Sequence, residues 1–196
     1  MVVQAGGESR RMGQNKALVP FLGRPLIERV IARVSAIADE VLITSNQPES
    51  LAFLHIPTFP DLLPERGVLS GLYTAFSVAR HPLVAVVACD MAFVNALLLA
   101  AERDLLLSRN VDGVVPESGV GVEPLHAVYH REPCLEAVKA ALEAGHKRAD
   151  SWFRTVRIEY FPRNQLDLYD PTREAFININ TLEDLKKAED RSRESL

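Results

Sequence analysis

The sequence predicts an α/β fold of three layers, an open and mostly parallel sheet between two layers of helices. Three observations predict it. Strand-like and helix-like stretches alternate along the chain. The strand-like stretches are continuous apolar runs without in/out alternation, as strands buried on both faces are. Glycine or a polar side chain follows each of the early runs, where such sheets hold ligands. The length, 196 residues, suits one domain over 1–196.

The elements follow in order. Met1 to Ala5 is a short apolar strand ending in Gly6-Gly7. Pro25 sits where a first-turn proline belongs, and Leu26, Ile27, Val30, Ile31, Val34 and Ile37 then recur at helical spacing. Glu40 to Thr44 reads as a strand. A third apolar stretch leads to Asp61. Leu72, Ala75, Phe76 and Ala79 form a second helical stripe. Leu83 to Ala88 is an unbroken apolar strand that stops at Cys89-Asp90. Asn95 to Leu107 reads as a helix, Val111 to Val115 and Leu125 to Tyr129 as strands, and Pro133 to Ala144 as a helix. Arg157 to Phe161 and Phe176 to Ile179 look like strands. Thr181 to Asp184 has capping-box spacing and starts a last, highly charged helix.

Composition narrows the class. With 47% hydrophobic and 24% charged residues the chain is neither a disordered tail nor a fibrous repeat. A net charge of −4 argues against non-specific nucleic-acid binding but leaves small anionic ligands open. Cys89 and Cys134 are too few for a disulfide framework, lack metal-ligand spacing and read as buried thiols of a reducing compartment. No apolar run approaches the ~20 residues of a membrane span, and no export signal is legible, so the expected place is the cytoplasm.

The strongest chemical signal is the run from Gln4 to Lys16. Glycines let backbone amides approach an anion closely, and consecutive amides make a concave anion site. Arg11 and Lys16 add fixed positive charge. The spacing is neither the dinucleotide fingerprint nor the Walker loop. From the residues alone the run reads equally as an ordinary strand-to-helix turn with solvated basic residues. Asp90 closes a buried strand, where a carboxylate must be solvated, paired or metal-bound. One carboxylate with substrate phosphates and water suits Mg²⁺; a turn or cap aspartate is the plainer reading. Asn46 and Asp61 follow the second strand and the third apolar stretch, and either could be a turn residue. Asn178 and Asn180 alternate with Ile177 and Ile179, so a strand would put both amides on one side. A lone strand histidine such as His126 is more often structural. Trp152-Phe153 reads as core.

The run Ala5-Gly-Gly-Glu-Ser-Arg-Arg-Met-Gly-Gln-Asn-Lys16 resembles the A-G-G-x-S-x-R-M-G-x-x-K signature of nucleotidyltransferases. Within that set the chain is most similar to the molybdenum-cofactor guanylyltransferases. The likeness continues through Leu22-Gly-Arg-Pro-Leu-Ile-Glu-Arg-Val30, Cys89-Asp90-Met91 and Phe176-Ile-Asn-Ile-Asn-Thr-Leu-Glu-Asp-Leu185. It implies a Rossmann-like sheet of the nucleotide-diphospho-sugar transferase type. It also implies transfer of GMP from GTP to the terminal phosphate of molybdopterin, with Mg²⁺ on Asp90. The roles it implies are Lys16, Asp90 and Arg11 in catalysis; Gln4, Ala5, Gly6, Gly7, Lys16, Asn46, Asp61 and Asp90 around nucleotide and metal; and Asn178, Asn180 and His126 toward the pterin. A carboxylate at Asp61 favours guanine, which offers two adjacent donors. Transient contacts with proteins of molybdenum-cofactor biosynthesis and insertion are implied as well.

Three departures from that pattern stand out. Gln4 replaces leucine, Val68 replaces the proline of G-P-L-x-G, and Ala92 replaces a proline after Asp90, which predicts a looser loop there. A cytidylyltransferase for the same cofactor, a sugar-phosphate relative and a non-catalytic nucleotide-binding domain are the competing readings.

Overall fold

The computed structural model describes residues 1–6, 15–63 and 67–194. Its strands and helices, in chain order, are β1 (Val2–Gln4), β2 (Pro20–Phe21), β3 (Arg24–Pro25), α1 (Leu26–Val34), β4 (Leu42–Thr44), β5 (Thr58–Phe59), α2 (Val68–Val78), β6 (Leu83–Ala88), α3 (Ala96–Arg109), β7 (Gly113–Val115), β8 (His126–His130), α4 (Arg131–Glu143), β9 (Ile158–Tyr160), α5 (Arg163–Tyr169) and α6 (Leu182–Glu194). The main sheet runs β5-β4-β1-β6-β8-β7-β9. β1 pairs in parallel with both β4 and β6, and β4 with β5. β8 lies antiparallel between β6 and β7, and β9 is parallel to β7. The sheet is therefore mostly parallel, with β8 reversed.

Neighbouring residues of one strand feed opposite cores, as the apolar runs predict. Val3, Ile43 and Val87 pack with Ile27, Val30 and Val34 of α1 and Leu98, Leu99 and Leu106 of α3. Val2, Leu42 and Val86 pack instead with Leu72 and Phe76 of α2 and Val138 of α4. Trp152 and Phe153 belong to that second core, with Trp152 tilted against Tyr129 at 5.4 Å. A smaller third core joins Phe21, Leu26, Ala92, Phe93, Ile179 and Ala188, so α6 packs over the β2–β3 hairpin and the segment after β6.

The segment Phe176 to Ile179 is not a strand. A 3-10 turn covers Glu174–Phe176, and the extended residues after it join no ladder. One backbone bond, from Ile179 N–H to the Asp90 carbonyl at 3.0 Å, holds them against the end of β6. The alternation still governs the side chains in part: Ile177 and Ile179 enter the third core while Asn180 is exposed. The capping box is as expected, with Thr181 Oγ1 accepting from Asp184 N–H at 3.1 Å and Asp184 Oδ2 accepting from Thr181 N–H at 2.9 Å.

Candidate active site

Parallel register places the carboxyl ends of β1, β4, β5 and β6 on one edge. Gln4 lies beside Thr44 and Ala88, and Thr44 beside Phe59. The residues that follow these ends meet there. Asn46 Nδ2 donates to Asp61 Oδ2 at 2.7 Å, and Asp61 N–H donates back to Asn46 Oδ1 at 3.0 Å. A primary amide thus fixes both the backbone and the carboxylate of Asp61 while Asn46 stays exposed.

Lys16 opens a single 3-10 turn whose cap is Asn15. Asn15 Oδ1 accepts Ala17 N–H at 3.1 Å, and its Nδ2 donates to Gln47 Oε1 at 3.0 Å and Ser50 Oγ at 3.3 Å. This anchor ties the chain just before Lys16 to the segment after β4. Sequence reading missed it, although an Asn two residues before an apolar stretch is a usual cap signal.

From that anchor the Lys16 ammonium reaches the segment after β6 and the segment before α6. It pairs with Asp90 Oδ2 and donates to Asn180 Oδ1 at 2.6 Å. The two side chains of the ion pair are 19% and 15% exposed, enough to meet a ligand yet sheltered enough for charge to count. Asp90 Oδ1 is buried and accepts no hydrogen bond among the described residues. Two chain segments, 74 and 164 residues away in sequence, therefore converge on the Lys16 ammonium.

The other expected residues fall as follows. Gly7 and Arg11 lie outside the described residues. Gly6 is exposed just past the end of β1, with open space where a Cβ would stand. Ala5 is nearly buried and continues the sheet, its N–H on the Thr44 carbonyl at 2.8 Å. Gln4 points into the interior. It is 4% exposed, and its Nε2 donates to the Val68 carbonyl at 3.1 Å, tying β1 to the first turn of α2. That packing requires Gly71, where a Cβ would come within 2.1 Å of Gln4 Nε2. Asn178 donates to the nearby Phe176 carbonyl at 3.2 Å, so it does not share a ligand face with Asn180 in the way a strand would impose.

His126 lies in the interior rather than on the cleft wall. It is fully buried; its Nε2 accepts Asn95 N–H at 3.3 Å, leaving Nδ1 to donate to Glu102 Oε1 at 3.2 Å. Its ring stands edge-on to Phe176 at 5.3 Å. Both nitrogens are engaged, so it has no group to offer a pterin in this arrangement. Burial pushes the Glu102 carboxyl up to about 7, and His126 offsets part of that rise. The folded protein therefore keeps a proton that the unfolded chain releases near the ordinary value of 4.5, and this contribution to stability falls as pH rises from 4.5 to about 7. Glu102→Gln should remove that slope. Urea midpoints taken across the window should fall for the parent relative to the variant, and parallel profiles would contradict the assignment. Burial, with Asp90 beside it, also pushes the Cys89 thiol up to about 12, so this neighbour of Asp90 is an inert packing group.

The model of the MobA-like NTP transferase domain matches residues 1–160. The chain belongs to the MobA-like NTP transferase family. Among its curated relatives, a molybdenum cofactor guanylyltransferase from Desulfosudis oleivorans is 34% identical over 191 residues, covering 96% of this chain and 93% of its own. The molybdopterin-guanine dinucleotide biosynthesis protein A from Archaeoglobus fulgidus superposes with a TM-score of 0.87, at 26% identity and 98% coverage of both chains. A 2-C-methyl-D-erythritol 4-phosphate cytidylyltransferase from Thermus thermophilus shares the fold at a TM-score of 0.68 and 19% identity, over 98% of each chain. The MobA-like chain is thus a nucleotidyltransferase on a sheet of the nucleotide-diphospho-sugar transferase type, and its Lys16, Asp90 and Asn180 meet at the edge where that sheet holds ligands. No helix among the described residues is long and apolar enough to cross a membrane.

Proposed function

We propose that this protein transfers GMP from GTP to the terminal phosphate of molybdopterin, making the guanine dinucleotide form of the cofactor and releasing pyrophosphate. The observation that carries the reading is the Lys16 ammonium held between Asp90 and Asn180. It puts a cation from the first loop, a carboxylate from the central strand and an amide from the C-terminal segment within one reaction radius. The molybdopterin phosphate forms a bond to the α-phosphorus of GTP as the bond to the β-phosphate oxygen breaks. That nucleophile is already ionised near neutral pH, so the reaction demands alignment and charge neutralisation rather than a general base. Lys16 donates to phosphate oxygens, with Asn180 keeping the ammonium aimed across the cleft. Asp61, fixed by Asn46, accepts from the guanine ring N–H and exocyclic amine.

Asp90 fits a magnesium ion. Its Oδ1 is buried and unpartnered among the described residues, and those residues include no cluster of three or more His, Cys, Asp or Glu that could hold a metal. One carboxylate, completed by substrate phosphates and water, is an ordinary Mg²⁺ site. When bound there, Mg²⁺ would neutralise negative charge on the phosphates. On this reading Asp90 is the residue that holds it. The enzyme would work in the cytoplasm, in keeping with two free thiols, and hand its product to proteins that insert the cofactor.

The test is pyrophosphate release from GTP and from CTP with molybdopterin and Mg²⁺. GTP should be the strongly preferred donor, and preference for CTP would overturn the guanylyl reading. Asp61→Asn should lower kcat/KM for GTP about 10²-fold, because a site built to accept two donors loses charge and one acceptor. CTP turnover should change little.

A further inference from the structure

We infer that Arg29 and Arg33 are positioning residues for this reaction: two guanidiniums one helical turn apart on α1 hold the loop that presents Asp90. The inference rests on the nucleotidyl-transfer reading above, but its observations are separate. Arg29 Nε donates to the Ala92 carbonyl at 2.8 Å, and Arg33 Nε donates to the Val94 carbonyl at 2.7 Å. The tethered carbonyls lie two and four residues after Asp90. Arg29 also donates through Nη2 to Ser192 Oγ on α6 at 3.0 Å. Its guanidinium lies over the Phe21 ring at 4.7 Å and the Phe93 ring at 5.5 Å.

Ala92 and Val94 are fully buried and Phe93 nearly so, so their backbone groups need partners that the sheet does not supply. The loop's own backbone adds one turn bond, from Val94 N–H to the Met91 carbonyl at 3.0 Å, and its two ends are held where Ile179 N–H meets the Asp90 carbonyl at 3.0 Å and Asn95 N–H meets His126 Nε2. Between those ends the arginines supply the tethers from outside the loop, on the Ala92 and Val94 carbonyls. Among the described residues no carboxylate lies within ion-pair distance of either arginine, although the Glu174 charge acts on Arg33 from farther off. A charged fork with a rigid plane, spent on neutral carbonyls and two ring faces, is an expensive way to hold a loop unless its position matters. Arg29 reaches β2, the Asp90 loop and α6 at once, so it sets the distance between Asp90 and the C-terminal segment bearing Asn180. Transfer between two bound anions depends steeply on that distance, since a displacement near 1 Å can cost ~10²-fold in rate.

Arg29→Met keeps the stem and removes the fork; Arg33→Met does the same one turn on; Arg29→Lys keeps the charge without the planar geometry. Single-turnover GMP transfer and amide hydrogen exchange are measured on each full-length variant. Arg29→Met should lower the transfer rate about 10²-fold while KM for GTP stays within about threefold, with Arg29→Lys and Arg33→Met intermediate. Exchange at the Val94 and Asn95 amides should quicken while the β1 and β6 amides keep their protection. A transfer rate within about twofold of the parent in all three variants would overturn the inference. Loss of protection across β1 and β6 together with the loop would overturn it too, since that marks a general packing role. If the parent itself transfers no GMP, the catalytic reading fails while the exchange comparison still decides whether the arginines hold the loop.

Discussion

Asp90→Asn should lower guanylyl transfer by about 10³-fold or more while leaving the fold intact. The size follows from what the carboxylate does. Its Oδ2 holds Lys16, and its buried Oδ1 is unpartnered among the described residues. Asparagine is nearly isosteric and can still accept one hydrogen bond from Lys16, so packing is preserved. It carries no charge and places an amide nitrogen where one lone pair stood, which removes the electrostatic hold on a divalent cation. Losing a single preorganised group of this kind typically costs 10²–10³-fold, and a metal hold adds to it. Stability should change little, because a partly exposed ion pair contributes about 0–1 kcal/mol. Two measurements decide the outcome: pyrophosphate release across a Mg²⁺ titration, and the thermal midpoint. Normal magnesium-dependent turnover in Asp90→Asn would remove Asp90 from the metal site.

The strand ends were legible because burial leaves a plain mark. Leu83 to Ala88 is apolar without interruption, so the first carboxylate after it had to stand at a sheet edge. The same logic found Asn46 and Asp61, although not the hydrogen bonds that join them. The reversed β8 was not legible. His126 to His130 is buried at four of its five positions, and a strand buried on both faces looks the same in either direction. α5 escaped notice because Leu166 is its one buried residue, so it shows no apolar stripe. The β2–β3 hairpin escaped for a different reason: it turns through Leu22 at φ 49° and Gly23 at φ 83°, a left-handed pair announced by one glycine alone.

Ala92 marks what reasoning from one residue leaves out. Replacing a proline predicts slack after Asp90. The structure adds restraint from outside the loop, through carbonyl bonds from Arg29 and Arg33 and bonds at either end, beside the turn bond from Val94 N–H to the Met91 carbonyl within it. Two arginines at i and i+4 on an amphipathic helix read as a solvated face, and nothing local separates that from a tether. A similar blindness applied to Gln4. At the end of a strand beside the glycine loop it resembles a ligand group, yet the space left by Gly71, 67 residues away, draws it into the interior. Side-chain identity located the cleft; the long-range packing that aims each group was not encoded near the group itself.

Lys16→Ala should cost about 10²–10³-fold in kcat/KM for GTP, expressed in both kcat and KM, because on the proposed reading the ammonium contacts phosphate before and during transfer. The variant leaves the Asp90 carboxylate, 15% exposed, without its cationic partner, and Asn180 Oδ1 without its donor. A modest fall in thermal midpoint should accompany the kinetic loss, larger than that of Asp90→Asn, since alanine leaves both Asp90 and Asn180 without a donor whereas Asp90→Asn keeps Lys16 hydrogen-bonded on both sides. The double variant Lys16→Ala with Asp90→Asn distinguishes a working unit from two independent contributions. Groups that act on the same transferring phosphoryl centre are grossly non-additive, so the double variant should turn over about as slowly as the slower single. Its thermal midpoint should recover part of the loss seen in Lys16→Ala, because the stranded charge is gone. Kinetics for Lys16→Ala that match the parent would separate the first loop from the triphosphate, and multiplicative losses in the double variant would mean that the ammonium and the carboxylate serve different steps.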